Sequence, residues 1–357
     1  MKILAFESSC DETSCAVVSV VNERFTVKSN IVASQIETHK LYGGVVPEIA
    51  SRAHVEAISK ITYEALAEAN TALSEIDLVA VTANPGLIGA LLVGVNFAKG
   101  LAVSNNIPLV AVDHMKGHIA ASLLDEDVPK PPFIALTASG GHTSIYLVRD
   151  YIETVEIGRT RDDAIGEAFD KIGRILGIPY PAGRGFDELS ERGFIEATGD
   201  EKNFYEKYKL SDAYRNSDFA LPSPALSGDT LDFSFSGLKT AAINTIHKYS
   251  QRKEEINKPL FAAHYTYMVV EAVAKKLSLA LERNEVSSLV ISGGVAANSH
   301  LRRRLRSLAE EKRVKLYIPK PSLCGDNAAM IAAAGYYEYK RGAFKDASLN
   351  ASALDSI

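Results

Sequence analysis

KILAFESSCDETSCAVVSVV, residues 2–21, decides how the rest of this chain is read. Residues 2–9, KILAFESS, form an apolar run that ends in hydroxyls; CDET follows, and SCAVVSVV (14–21) is apolar again. The pattern predicts strand, short polar turn, strand. The same grammar returns as FIALTA (133–138), SGGHT and SIYLV (144–148), with small residues where the chain reverses. The elements after each hairpin also correspond. In the first half a helix is expected from near Pro47, whose fixed φ suits a first helical position. Then come a strand, IDLVAVTA, the turn NPG and a glycine-rich helix. In the second half the long helix LFAAHYTYMVVEAVAKKLSLALER precedes the strand SLVIS, the turn GGVAAN and another helix. Strands alternating with helices predict the α/β class, sheets covered by helices, here as two related halves. No low-complexity linker separates them, so they are expected to pack across a cleft. The expected division is 1–129 plus 326–357 against 130–325. A surface excursion is expected at about 195–217, where the chain is polar, tyrosine-rich and without periodicity.

The 357-residue length exceeds what one hydrophobic core usually serves, and 46% hydrophobic with 23% charged residues is ordinary globular composition. A net charge of −5 excludes a global basic field, so a nucleic-acid partner must be held by local patches or recruited by another protein. The best local patch is the run around Arg302, Arg303, Arg304 and Arg306, which also reads as a solvated helix face. Three cysteines (Cys10, Cys15, Cys324) without a CxxC argue against a disulfide framework and for a reducing cytoplasm. The N-terminus turns polar too early for a signal peptide. The apolar segment from Pro85 to Val103 is broken by Asn96 and Lys99, and its glycines suit a helix packed on a sheet rather than a membrane span.

Four motifs carry chemistry. SGGHTS (Ser139 to Ser144) and SGGVAANSHLR (Ser292 to Arg302) each follow a buried strand. Paired glycines let backbone amides approach an anion, and the second turn opens a helix whose N-terminus favours negative charge. Ligands of open α/β sheets sit at the carboxyl ends of strands, where these turns lie, so a phosphate-bearing ligand is expected in the cleft. DDAIGEAFDKIGRILGI (Asp162 to Ile178) is predicted helical, with Ala164, Ala168, Ile172 and Ile175 as its buried stripe and Asp170 off it. The loop PYPAGRGFDEL comes next, where Gly183 and Gly185 free the backbone and the carboxylate of Asp187 could accept ribose hydroxyls. His114 and His118 are four apart and share a helix face, so they can bind one metal. Met115 stands where a zincin needs its glutamate, which disfavours metallopeptidase chemistry. Asp326, at a turn before a small-residue helix, is either a third ligand or an N-cap. Two imidazoles and a carboxylate suit iron or zinc. Asp11 and Glu12 sit on the CDET turn, as tolerated turn residues or as acid–base groups; Cys10 and Cys15 have no evident base partner.

Taken together and in order, ESSCDETSCAVV, YGGVVPEIASRAHVE, NPGLIGALLVGVNFAKGLA, DHMKGHIAA, SGGHTS, DDAIGEAFDKIGRILGIPYP, DFSFSGLKT, SGGVAANSHLR and CGDNAAMIAAAG resemble the TsaD family, the tRNA adenosine threonylcarbamoyltransferases, in its bacterial branch. The resemblance covers nearly the whole chain outside 195–217. It implies the actin-like/Hsp70-type ATPase (ASKHA) fold around a nucleotide cleft. It also implies transfer of a threonylcarbamoyl group from threonylcarbamoyl-adenylate to the exocyclic amine of the adenosine 3′ of the anticodon, with release of AMP. By motif, His114, His118 and Asp326 resemble the family's metal ligands, for Fe(2+) or Zn(2+). Thr137, Ala138, Ser139, Gly140 and Gly141 match its phosphate and acyl turn. Asp170, Gly183, Asp187 and Asn298 match its nucleotide contacts, and Glu12 or Asp11 would handle the incoming amine. Phe233 to Thr240, FSFSGLKT, would shape the cleft wall. Implied partners are tRNA, a TsaB-type inactive paralogue, a TsaE-type ATPase and a separate synthase that makes the adenylate, all in the cytoplasm and away from membranes. Where the family has PGGP, this chain has Pro181-Ala182-Gly183-Arg184, which puts glycine's freedom at 182 and the charge at 184 in question. A small-molecule kinase of the same fold and a non-catalytic nucleotide-gated scaffold are the alternatives.

Overall fold

The computed structural model describes residues 1–354 and contains two mixed sheets. The first holds β1 (Lys2–Glu7), β2 (Glu12–Val21), β3 (Arg24–Ser34), β4 (Leu78–Asn84), β5 (Leu109–Asp113) and β11 (Phe344–Lys345), in the order β11-β5-β4-β1-β2-β3. The second holds β6 (Phe133–Ala138), β7 (Thr143–Val148), β8 (Thr154–Arg159), β9 (Ser288–Ser292) and β10 (Lys315–Tyr317), in the order β10-β9-β6-β7-β8. Apart from the β11 edge, each sheet runs fifth-fourth-first-second-third. In both, the first three strands form an antiparallel meander and the fourth lies parallel to the first. Each opening hairpin turns in four residues, 8–11 and 139–142. The two halves are therefore one topology used twice, and the likeness between residues 2–21 and 133–148 is its trace.

Alternation along β1 explains the layering of the first sheet. Ile3 and Ala5 face the helix Ala328–Lys340, while Leu4 and Phe6 face the opposite layer, which includes Ile58 and Ile61 of Pro47–Glu68 and Val95 and Ala98 of Ile88–Asn105. Ile88–Asn105 is, among the described residues, the one helix long and apolar enough to cross a membrane. Here it lies on the sheet: a methyl at Gly94 would collide with Ser8 Oγ, and Ala90, Leu91, Val95 and Ala98 are buried. In the second half Ile134, Leu136 and Ala138 face a large core built with Lys258–Arg283, while Phe133 and Ala135 face Ile119. The short helix His114–Ala120 is thus clasped from both sides. Ile119 rests on the second sheet, and Gly117 approaches Ile331 of the helix Ala328–Lys340.

Two expectations need correction. The stretch 195–217 is largely exposed but is not free of the core: three of its rings pin it down. Phe204, Tyr205 and Tyr208 are buried beside Phe194, Tyr267 and His300, with ring centroids 4.8–6.3 Å apart, and Tyr208 Oη lies 3.2 Å from His264 Nδ1. These rings ride on a single turn, Phe204–Tyr208, too short to show a helical period. The buried stripe of Ile165–Leu176 is Ile165, Ala168, Phe169, Ile172, Gly173 and Leu176, and Ile175 is exposed. The helix starts three residues later than expected because Asp162 is held in the preceding loop. Its carboxylate accepts Phe235 N–H (2.7 Å), Ser236 N–H (3.1 Å) and the hydroxyls of Ser234 and Ser236. That explains FSFSG: Phe233 and Phe235 stack in the core (5.6 Å), and the serines between and after them grip Asp162.

Candidate active site

The centre of the site is built where β5 ends. Asp113 caps the helix His114–Ala120 by accepting Met115 N–H (2.9 Å) and Lys116 N–H (3.2 Å), and Asn84 at the end of β4 donates to its other oxygen (2.7 Å). The cap sets the helix so that His114 and His118, one turn apart, present neighbouring rings with centroids 4.5 Å apart. Asp326 arrives from the turn before Ala328–Lys340. Its Oδ1 lies 3.2 Å from His118 Nε2 and 3.5 Å from His114 Nε2, and one donor atom from each of the three residues falls within 4.8 Å of the others. The helix cap beside it is Asn327, which accepts Met330 N–H, so Asp326 is not spent on capping. His118 is fully buried; its Nδ1 has no hydrogen-bond partner, and its Nε2 meets only the Asp326 carboxylate. A buried imidazole with an unpartnered nitrogen is costly unless something else satisfies it, and a metal ion fits this donor set. Burial opposes ionisation of both groups, yet Glu7 and Asp326 raise His114 well above its usual range, and His114 holds Asp326 well below its own, an ion pair that a bound cation would replace.

The two glycine turns meet at the ends of β6 and β9. Gly293 adopts φ 86°, ψ 165°, and a methyl there would fall onto the carbonyl oxygen of Ala138. Gly140 and Gly141 are exposed with open space where a side chain would be. Thr137 and Ala138 lie within β6 with fully buried side chains, Thr137 Oγ1 bonded to Ser292 Oγ (3.2 Å), so they can offer a ligand only backbone. Gly166 opens the next helix by donating its N–H to Ser139 O (3.2 Å); a methyl there would stand 2.6 Å from that oxygen.

Asp11 and Glu12 stand between these regions. His54 holds their turn, with Nδ1 2.8 Å from Thr13 Oγ1 and Nε2 2.9 Å from Cys10 O. Burial, then Asp326 and Asp11, push the Glu12 carboxyl up to about 9. Burial, opposed by the Ala182 N–H, also raises Asp170, and the charge of Asp11 adds to that rise. Tyr180, raised by burial and then by Asp11 and Asp170, sits with them. The folded protein keeps the Glu12 proton from the unfolded value of 4.5 to about 9, so metal-free stability falls as pH rises through that window. Glu12→Gln is therefore expected to raise the melting temperature, by more at pH 8 than at pH 5; parallel melting curves at the two pH values would contradict it. Cys10 and Cys15 are both raised, chiefly by burial, Cys15 to about 12, which makes them poor nucleophiles.

In the PAGR loop Ala182 sits at φ −78°, ψ −15°, where glycine's freedom is not needed; its methyl fills the space left by Gly173. Arg184 points to solvent and pairs with Glu188 (2.9 Å). Asp170 Oδ1 accepts Ala182 N–H (2.7 Å), which ties the loop to the helix. Gly183 begins the helix Gly183–Thr198. From it Asp187 accepts Ser299 N–H (3.1 and 3.2 Å for its two oxygens), beside Asn298, whose Oδ1 caps Leu301 N–H (2.8 Å). Three of the four arginines of the basic run are engaged within the fold, and Arg306 is exposed. Arg302 binds Ala296 O, Arg303 lies over the Phe204 ring and bonds Lys202 O, and Arg304 pairs with Glu271 and Glu311. Sequence patterns alone did not single out Glu7, Gly166 or His54. A carboxylate closing the apolar run of β1 was the one visible signal for Glu7.

Residues 26–333 match the sequence profile of TsaD, described as tRNA N6-adenosine threonylcarbamoyltransferase. The chain belongs to the TsaD family. A "tRNA N6-adenosine threonylcarbamoyltransferase" of Clostridium beijerinckii is 44% identical over 98% of this chain and 96% of its own length. One from Lactobacillus gasseri is 46% identical over 98% and 94%. Among solved structures, component A of (R)-2-hydroxyglutaryl-CoA dehydratase from Acidaminococcus fermentans superposes with TM-score 0.51 at 14% identity, covering 96% of this chain and 99% of that one. HypF from T. kodakarensis superposes at 0.53 and 12%, covering 99% and 49%. At such identities these likenesses bear on architecture alone, and they agree with the ASKHA fold of this TsaD-family chain.

Proposed function

We infer that this chain transfers a threonylcarbamoyl group from threonylcarbamoyl-adenylate to N6 of the adenosine 3′ of the anticodon in tRNAs that read codons beginning with A. The carrying observation is the buried His114–His118–Asp326 group, joined with family membership along the chain. His114, His118 and Asp326 would hold one divalent ion, Fe(2+) or Zn(2+), which when bound supplies Lewis-acid polarisation of a carbonyl or phosphoryl oxygen. The amides of Gly140, Gly141 and Gly294 would cradle the adenylate phosphate, with Ser139, whose amide closes the turn onto His142 O, shaping it and Thr137 and Ala138 offering backbone only. Asp170, Gly183, Asp187 and Asn298 would border the nucleoside.

In the transfer, the amine nitrogen attacks the carbamoyl carbon, the C–O bond to the phosphate breaks, and AMP leaves with the bonding pair. The amine proton goes to the carboxylate of Asp11 on the same turn, while Glu12, which keeps its own proton up to about 9, would orient the substrate as a hydrogen-bond donor. Alignment of amine and carbonyl is worth on the order of 7–11 kcal/mol over free encounter. Because three of the four arginines are engaged within the fold and the net charge is −5, tRNA docking would draw on partners, a TsaB-type paralogue and a TsaE-type ATPase. Free thiols at Cys10, Cys15 and Cys324 accord with the cytoplasm. Nucleoside analysis of tRNA from cells depleted of this protein is expected to show loss of threonylcarbamoyladenosine, restored by the wild-type gene. Unchanged tRNA would overturn the reading.

A further inference from the structure

Glu7 is the last residue of β1, and its side chain is fully buried. Its two oxygens are fully engaged. Oε1 accepts Ser9 N–H (2.5 Å), and Oε2 accepts the Thr82 hydroxyl (2.6 Å) and lies 2.9 Å from His114 Nδ1. An ionised carboxylate can only accept hydrogen bonds, so His114 must carry a proton on Nδ1. Nε2 is then the atom turned toward Asp326 and His118, and an ion bound there would displace its proton while Nδ1 keeps its own. We propose that Glu7 is a positioning residue for the metal centre. It fixes the ring and protonation of His114 so that Nε2 is the ligand atom, and it raises that atom's basicity. This rests on the reading of His114, His118 and Asp326 as a metal site.

The arrangement distinguishes glutamate from its closest relative. In Glu7→Gln the amide oxygen must face the Ser9 N–H, because two donors cannot meet there. The NH2 group then falls on His114 Nδ1 and donates to it, which drives the ring proton onto Nε2, where it competes with the ion. The substitution preserves shape, so the fold should survive.

The test uses full-length protein stripped of metal and titrated with zinc against a chromophoric chelator, together with ¹⁵N spectra of histidine-labelled, zinc-loaded protein. Glu7→Gln is expected to bind zinc about 10–100-fold more weakly. The wild type should show His114 ligated through Nε2 with its Nδ1 proton retained, and the variant should lose that signature while its far-ultraviolet circular dichroism is unchanged. Affinity within twofold of wild type with the same ¹⁵N pattern would sink the inference while leaving the metal site standing. A wild type that takes up zinc no better than His114→Ala would overturn both.

Discussion

Leucine in place of His118 is expected to abolish metal binding and to lower tRNA modification by about a thousandfold or more, while the metal-free protein melts no lower than the wild type. The asymmetry comes from the isolation of His118. Its Nδ1 is buried without a partner and its Nε2 meets only Asp326, so an apolar side chain of similar size gives up one contact and removes an offsetting desolvation cost. The lost activity reflects the several kcal/mol a bound ion contributes to transition-state charge, at about 1.4 kcal/mol per tenfold in rate. Metal content by elemental analysis, a melting curve on stripped protein and a single-turnover assay check the three parts. A variant that keeps full activity without metal would remove the ion from the scheme. One that loses activity only by unfolding would make His118 a structural residue.

Alanine at two glycines should separate fold from ligand. Gly293→Ala places a methyl on the Ala138 carbonyl in a backbone region that only glycine visits freely, an expected loss of roughly 2–6 kcal/mol. Set against the ~5–15 kcal/mol of a typical domain, that yields little soluble protein. Gly140 has no left-handed backbone and nothing within 4 Å of the added methyl. Gly140→Ala should therefore change stability by less than about 0.5 kcal/mol while weakening adenine nucleotide binding at least about tenfold, since the methyl occupies the approach to the turn amides. Denaturant titration and calorimetry read the two effects. Equal nucleotide affinity in Gly140→Ala would mean that this turn does not contact the phosphate.

Much of the architecture was legible because buried parallel strands are written as continuous apolar runs: FIALTA and SLVIS coincide with β6 and β9 residue for residue. The meander strands β3 and β8 left no such run. They are partly exposed, and RFTVKSNIVAS alternates too loosely to announce itself. The aromatic plug at Phe204–Tyr208 hid for a different reason, since three large rings on one turn give composition but no period. At the site, spacing paired His114 with His118, but no local pattern could join them to Asp326 across some two hundred residues; there the family resemblance did what periodicity could not. Glu7 stayed invisible because a single charge at a strand end looks like an ordinary boundary. At Ala182 a glycine in relatives does not mean an unusual backbone: the conformation there is one any residue adopts.

The helix Ala328–Lys340 and β11 belong spatially with the sheet that the first residues begin. Birth order therefore matters. On a ribosome adding about 5–20 residues per second, His114 and His118 emerge roughly 10–40 s before Asp326. An unfinished chain holds only two of the three grips on an ion and lacks one covering layer of its first sheet. On the proposed reading of these three residues as one metal site, loading would wait for the final segment, and a product terminated before it would lack the third ligand.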